Sequence, residues 1–213
     1  MPKIVCISDT HNHTFELPKG DYLIHAGDAL GWGDHVEWFK FMCWMDNVRN
    51  DYKAIIYVPG NHDKIVEADV KLRQVEAAEA GFTLLVDSGI EIDDISFYGT
   101  PWVNYMSGRW AFEAYDDKQH RHFNGIRFDQ DAKYRILLSH NPPLGYLDKG
   151  EYHSGSRALI KAVQRTKPHL HVFGHIHESY GIRDTPETVF VNAALMTRQY
   201  KPTNTPIVID LEV

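Results

Sequence analysis

The sequence predicts an α/β (α+β) fold: two mixed β-sheets packed as a sandwich, flanked by helices. Three observations predict it. Short apolar, β-branched runs alternate with helical stretches through the first half of the chain, as strands joined by crossover helices do. Later runs follow one another closely, which suits a second sheet. Five of the runs end abruptly in Asp, Asn or His, and carboxyl ends of strands are where α/β architectures gather ligands.

The first run, Lys3 to Ser8, reads as a buried strand ending at Asp9-Thr10-His11. Alone, that ending suits an Asx turn with a surface histidine. Asp21 to Ala26 is the second strand, closed by Gly27-Asp28, where glycine lets the backbone bend so that the carboxylate points inward. His25, in the strand interior, reads as a satisfied core histidine. Asp34 suits an N-cap for a helix over His35 to Arg49, whose Val36, Phe39, Phe41, Met42 and Met45 read as a core stripe. Trp32 is placed at the mouth of the site. Ala54 to Val58, closed by Pro59-Gly60, is the central strand, and the turn after it carries Asn61, His62 and Asp63.

Ile65 to Ala80 reads as one helix capped by Gly81, with its charges on a solvated face. Phe82 to Val86 is a strand, and Asp93-Asp94 turns a hairpin between Ile90–Ile92 and Ile95–Tyr98. Residues 99–131 show no clear period but hold Trp102, Tyr105, Trp110, Phe112, Tyr115, Phe123 and Phe128. So many aromatics argue against disorder. They suit a satellite core and a wall of the substrate pocket, with arginines meeting phosphate. Tyr134 to Ser139 is a strand ending at His140, held by Pro142-Pro143. Ser156 to Thr166 reads as a helix, and His169 to Phe173 as a strand closed by Gly174-His175-Ile176-His177. Ser179–Ile182, Thr188–Val191 and Ile207–Leu211 are expected to complete the second sheet. With no repeat or linker, residues 1–213 are read as a single domain.

The chain has 213 residues with 29 acidic against 22 basic side chains, a formal charge of −7. That balance disfavours a coat for a nucleic-acid polymer, whose binding rests on phosphate neutralisation. It leaves room for a small phosphate ester, because metal ions supply local positive charge. Cys6 and Cys43 give neither a disulfide framework nor a zinc spacing, and both read as small buried hydrophobes. No apolar run approaches the ~20 residues that span a bilayer, and no signal peptide is read, so the expected location is cytoplasmic, without a membrane partner.

Taken together, the strand-end residues form a ligand inventory. Two divalent cations need oxygen and imidazole donors, one shared carboxylate and open positions for water and substrate. Asp9, His11 and His177 suit one metal; Asn61, His140 and His175 suit the other; Asp28 suits the bridge. A water bridging two cations loses its proton near neutral pH and becomes the nucleophile. His62 follows a ligand directly and suits a proton donor at the leaving oxygen. Asp63 either orients His62 or caps the following helix.

The order Asp-x-His, Gly-Asp, Gly-Asn-His-Asp, His and Gly-His-x-His resembles the calcineurin-like metallophosphoesterases across nearly the whole chain. The stretches Ser139–Gly145, Lys167–Gly181 and Pro202–Ile207 are similar to the metallophosphoesterase-domain branch typified by animal brain-expressed proteins. That resemblance implies Mn²⁺, with Fe or Zn²⁺ as alternatives, and hydrolysis of small phosphodiesters, cyclic nucleotides among them. It implies the ligand roles just given for Asp9, His11, Asp28, Asn61, His140, His175 and His177, and acid catalysis by His62. Asp63 stands where many members carry Glu, and residues 113–131 match no branch motif. A phosphomonoesterase or nuclease on the same site, and a non-enzymatic metal-binding scaffold, are the competing readings.

Overall fold

The computed structural model describes residues 1–211. In chain order the elements are β1 (Lys3–Ile7), β2 (Tyr22–His25), α1 (His35–Val48), β3 (Ala54–Tyr57), α2 (Lys64–Ala68), α3 (Val70–Glu79), β4 (Thr83–Leu84), β5 (Ser88–Ile92), β6 (Ile95–Thr100) and β7 (Val103–Asn104). They continue with β8 (Glu113–Ala114), α4 (Asp116–Asn124), β9 (Tyr134–Ser139), α5 (Arg157–Thr166), β10 (Leu170–Phe173), β11 (Gly181–Arg183), β12 (Val189–Asn192) and β13 (Ile207–Asp210).

Two mixed sheets form. One has the order β13-β1-β2-β3-β4, parallel except for β13; the other has β11-β12-β10-β9-β6-β5, with β6, β9, β10 and β12 parallel. The inner strands are apolar on both faces because both faces are covered, whereas the edge strands β5, β11 and β13 are partly exposed. Ile4, Cys6, Ile24 and Ile56 point between the sheets and meet Phe97, Ile136, Leu138 and Val172. Val5, Ile7, Leu23 and Tyr57 point the other way, onto Trp38, Phe41 and Met45 of α1 and Ala77 of α3. Leu137, Phe173 and Phe190 pack outward on Phe123 of α4 and Leu159 and Val163 of α5. The predicted sandwich with external helices is the architecture observed.

Several expectations need correction. Ile207–Asp210 joins the first sheet, antiparallel to β1, rather than the second. The helix expected over residues 65–80 breaks at Asp69, whose extended backbone and carboxylate instead cap α3 by accepting the Leu72 N–H at 3.1 Å. Its charged face is not wholly solvated: Arg73 is buried and reaches Glu76 at 2.7 Å, which also accepts the Trp38 indole N–H. On α1 the core stripe is Trp38, Phe41, Trp44 and Met45, while Val36 and Phe39 are each 62% exposed and Cys43 is exposed. Trp32 is 75% exposed and does not line the cleft described below.

Residues 99–131 hold no separate core: Phe112 joins the layer under α1, Phe123 and Phe128 join the layer under α5, and Tyr105 and Tyr115 are exposed. Asp87 accepts bonds from Thr100 Oγ1, Trp102 Nε1 and His122, each at 2.7 Å, and Trp102 stacks on His122. This ties α4 and the segment before it to the start of β5.

Candidate metal centre and active site

The parallel strands of both sheets end at one edge. There the loops after β1, β2, β3, β9 and β10 are stitched together: Asp9 N–H donates to Gly27 C=O at 2.8 Å, His11 N–H to Asp28 C=O at 3.1 Å, and Gly174 N–H to His140 C=O at 3.1 Å. Asp9, His11, Asp28 and His175 all hold positive φ, between 41° and 67°. Non-glycine residues rarely do so, and the strain clusters at functional sites. Two glycines permit the close approach. Gly27, at φ 103°, would put a Cβ 2.4 Å from His140 Nδ1; a Cβ on Gly174 would lie 1.9 Å from an Asp9 carboxylate oxygen.

The predicted ligands converge. His177 Nε2 lies 3.0 Å from Asp9 Oδ1, and His11 Nε2 lies 3.5 Å from His177 Nε2. His140 Nε2 is 3.1 Å from Asn61 Oδ1 and 3.3 Å from Asp28 Oδ2. Asp9, His11 and His177 form one group that could hold a metal ion, and Asp28, His140 and His175 form another. Asp28 also shares a group with His11 and His62. It therefore sits between the two sets, as a bridging carboxylate must.

The imidazoles are oriented from behind. His11, His140 and His177 each place Nδ1 against a backbone carbonyl, of Leu30, Ala26 and Thr197 at 3.2, 2.9 and 3.0 Å. A carbonyl only accepts, so Nδ1 carries a proton and Nε2 is the nitrogen turned to the centre, where its lone pair serves a metal once any proton there has left. This is the outer-shell arrangement of metal-ligating histidines. The charge balance fits cations too. Asp9 and Asp28 are buried, and their close partners are imidazoles rather than Lys or Arg. Two such carboxylates are costly without positive charge between them.

Protonation follows from the same geometry. Burial opposes charge on His140, but the Asp28 charge and hydrogen bond, with Asp9 behind, hold it up at about 9. Burial likewise opposes charge on His177, and Asp9 outweighs it, also at about 9. Burial pushes His11 down to about 4 and His175 to about 3, so both stand as neutral ligands. In the metal-free chain at pH 7, His140 and His177 are therefore protonated, and a metal must displace those protons. Calorimetric titration with Mn²⁺ at pH 7 is expected to release at least two protons per chain, one each from His140 and His177 and any further one from metal-bound water, read from the dependence of heat on buffer ionisation. Affinity is expected to fall as pH drops from 9 to 6. Heats independent of the buffer would contradict this charge assignment.

His62 and Asp63 diverge. The His62 Nδ1–H donates to Gly31 C=O, its backbone N–H donates to Asp28 Oδ1 at 2.8 Å, and its ring lies 4.4 Å from Trp110. This turns Nε2 towards the centre, 3.9 Å from Asp28 Oδ2. Asp63 neither caps α2 through its side chain nor hydrogen-bonds His62. Its fully buried carboxylate accepts the backbone N–H groups of Asp28, Leu30 and Gly60 at 2.9, 3.0 and 2.6 Å. It clamps the β2 loop to the β3 loop, so both expectations for its side chain give way to a scaffolding contact.

The centre opens into a cleft of about 380 Å³, lined by Asp28, Asn61, His62, His175 and His177 on its floor. Trp110 and Met106 supply the wall expected from residues 99–131, but no arginine of that stretch lines the cleft. The arginine there is Arg198, held by Glu151 at 3.1 Å and Glu178 at 3.5 Å. Tyr200, at φ 56°, lays its ring 4.8 Å from His11 and 5.6 Å from His177. Neither residue was marked by a local signal. They arrive on the loop after β12, whose only cue is the Pro202-Thr203-Asn204 stretch.

A two-sheet sandwich with an Asp/His/Asn cluster at its shared strand edge defines the class of metal-dependent phosphoesterases. A family model described as calcineurin-like phosphoesterase matches residues 2–179. The chain belongs to that family. It is 36% identical to human metallophosphoesterase domain-containing protein 1, over 98% of this chain and 71% of that protein. It is 34% identical to a UPF0046 protein of Caenorhabditis elegans, over 97% of this chain and 74% of the other. Among solved structures, TT1561 of Thermus thermophilus superposes with a TM-score of 0.64 at 13% identity, covering 90% of this chain and 88% of that one. GAP50, described as the anchor in the inner membrane complex of Plasmodium, gives a TM-score of 0.56 at 10% identity, with 97% and 75% covered. At those identities the likeness is one of fold. The family implies divalent metal ions and phosphoester hydrolysis, and the His/Asp clusters could hold such ions. Among the described residues no helix is long and apolar enough to cross a membrane.

Proposed function

We propose that this chain is a dinuclear metal-dependent phosphodiesterase acting on a small phosphodiester, a cyclic nucleotide being one candidate. The observation that carries the reading is the set of adjoining ligand groups linked through His11 and Asp28, with Nε2 of each backbone-anchored histidine turned to the centre. Asp9, His11 and His177 would hold one ion and Asn61, His140 and His175 the other, with Asp28, which belongs to ligand groups on both sides, as the carboxylate available to both. Mn²⁺ is the metal proposed, with Fe or Zn²⁺ compatible with the same donors. When bound, the ions supply positive charge that polarises the phosphoryl group and acidifies water.

The chain's own residues do the rest. Asp28 organises both sides of the centre and fixes the His62 backbone. His62, steered by Gly31 C=O and Trp110, presents Nε2 to the leaving oxygen and delivers a proton there. Asp63 keeps the two loops in register. The cleft favours a small ester over a polymer, since its arginine is neutralised by two glutamates and a strand-tracking groove needs free cations. Residues 1–213 act here as one catalytic unit, cytoplasmic and without a membrane partner.

The test compares bis-p-nitrophenyl phosphate with p-nitrophenyl phosphate, using metal-stripped protein refilled with Mn²⁺. Faster Mn²⁺-dependent cleavage of the diester is expected. Faster monoester cleavage would make the enzyme a phosphatase, and binding of metal without turnover of either would favour a scaffold. His62→Ala is expected to lower kcat by roughly 10²–10⁴-fold on a diester with an alkyl leaving group. The loss should be smaller with nitrophenolate, which leaves without a proton. Equal losses on both would remove the acid role.

A further inference from the structure

A second polar cavity lies at the opposite edge of the second sheet. It measures about 280 Å³ and is lined by Arg127, Arg135, Arg165, Lys167 and Gln130, with no acidic residue in its lining. Arg135 is the second residue of β9 and Lys167 directly follows α5, whereas His140 follows the far end of β9. At about 3.3 Å per residue, that strand separates the cavity from the metal centre by roughly 17 Å.

The cations are held in place from behind. Arg165 donates to Phe123 C=O at 2.9 Å and to Ile126 C=O at 3.3 Å. Arg127 donates to the same Ile126 carbonyl at 2.8 Å and to Asn124 C=O. Arg135 donates to Lys167 C=O at 3.4 Å. Each guanidinium has five N–H donors, so these contacts leave donors over. Lys167 stands in the left-handed region, at φ 46°, at the position after a helix where glycine is usual.

Capping of helix ends explains part of this cluster but not its charge. Among the described residues, Lys167 pairs with Glu187 at 2.6 Å, and none of the three arginines makes an ion pair with a carboxylate. The C-terminal ends of α4 and α5 each offset about half a charge. Roughly two positive charges remain uncompensated, on a chain whose formal charge is −7. Burial and the charge of Arg127 both disfavour the cationic form of Arg165. A bound anion would relieve that repulsion.

We propose that this cavity is a second ligand site, separate from the metal centre, for a small phosphate-bearing anion. Its size suits a compact group, and forked guanidinium donors match phosphate oxygens.

Equilibrium dialysis of labelled inorganic phosphate, at fixed ionic strength, tests this on the full chain, both Mn²⁺-loaded and metal-stripped. The loaded chain is expected to bind two phosphates and the stripped chain one. Arg165→Gln should weaken the phosphate that survives stripping about tenfold or more, as loss of a charge-assisted bond does. Because Arg165 also holds Phe123 and Ile126, Gln130→Glu serves as a second variant. It keeps every guanidinium and places a carboxylate in the cavity, so it should abolish the same site while diester turnover stays within about twofold. A stripped chain that binds no phosphate, or one whose phosphate ignores both variants, overturns the proposal. So does binding of an RNA oligonucleotide, lost in Arg165→Gln, without binding of phosphate; the surface would then serve a polymer. Failure of the phosphodiesterase reading would leave the stripped-chain result untouched, so the two are separable.

Discussion

Asp28→Ala is expected to lower the proposed Mn²⁺-dependent diester turnover by on the order of 10³-fold or more, several kcal/mol of transition-state stabilisation. Among the described residues, no other belongs to two of the ligand groups and also fixes the backbone of His62, the proposed general acid. Its Oδ2 lies 3.3 Å from His140 Nε2 and 3.9 Å from both His11 and His62 Nε2, and its Oδ1 accepts the His62 N–H at 2.8 Å. Loss of the carboxylate removes the shared donor and frees His62 together. Metal content by elemental analysis should fall below two ions per chain in the same variant. The matching control is Asp34→Ala. It removes an N-cap that accepts the Val36 and Glu37 N–H groups, and it should cost about 1 kcal/mol of stability without touching turnover. Equal losses in both variants would mean that the Asp28 effect is a folding effect.

Asp63→Ala is expected to be the most destabilising substitution in the site. It leaves three buried backbone N–H groups, of Asp28, Leu30 and Gly60, without their acceptor. An orphaned buried donor costs about 1–3 kcal/mol, so roughly 3–5 kcal/mol is expected, allowing for relaxation. For a chain of this size that lowers Tm by about 6–20 °C. Asp63→Asn should not rescue it fully, because N–H groups meet both carboxylate oxygens and an amide turns a donor towards one side. Thermal unfolding of the metal-free protein checks this directly. A variant that melts with the wild type but loses kcat alone would return Asp63 to the role of orienting His62.

The contrast between these two aspartates shows what a sequence can and cannot convey. Asp28 was legible because an apolar run that stops at Gly-Asp leaves its carboxylate at a strand end whatever the partners are. The same holds for Asp9, His11, Asn61, His140, His175 and His177. Their positions follow from local strand termination, and their convergence follows once the strands are parallel. Asp63 sits in the same motif as His62, yet its carboxylate is taken up by the Gly60 N–H of its own loop and by the Asp28 and Leu30 N–H groups of another, which only the tertiary structure reveals. Arg198 and Tyr200 reach the cleft on a loop with no periodicity. The sequence leaves β13 without an address because an isolated apolar strand fits either sheet; its pairing with β1 is a contact across nearly the whole chain. The break at Asp69 was hidden by Ala- and Glu-rich neighbours whose helix propensity outweighs a single aspartate.

Two ions, held by ligand groups that meet at Asp28, are expected to act together. Titrating the metal-stripped chain with Mn²⁺, while following hydrolysis of bis-p-nitrophenyl phosphate, tests it most directly. The expected rate climbs through the second equivalent and levels at two ions per chain. A rate that levels at one equivalent, or two bound ions without diester hydrolysis, would contradict it.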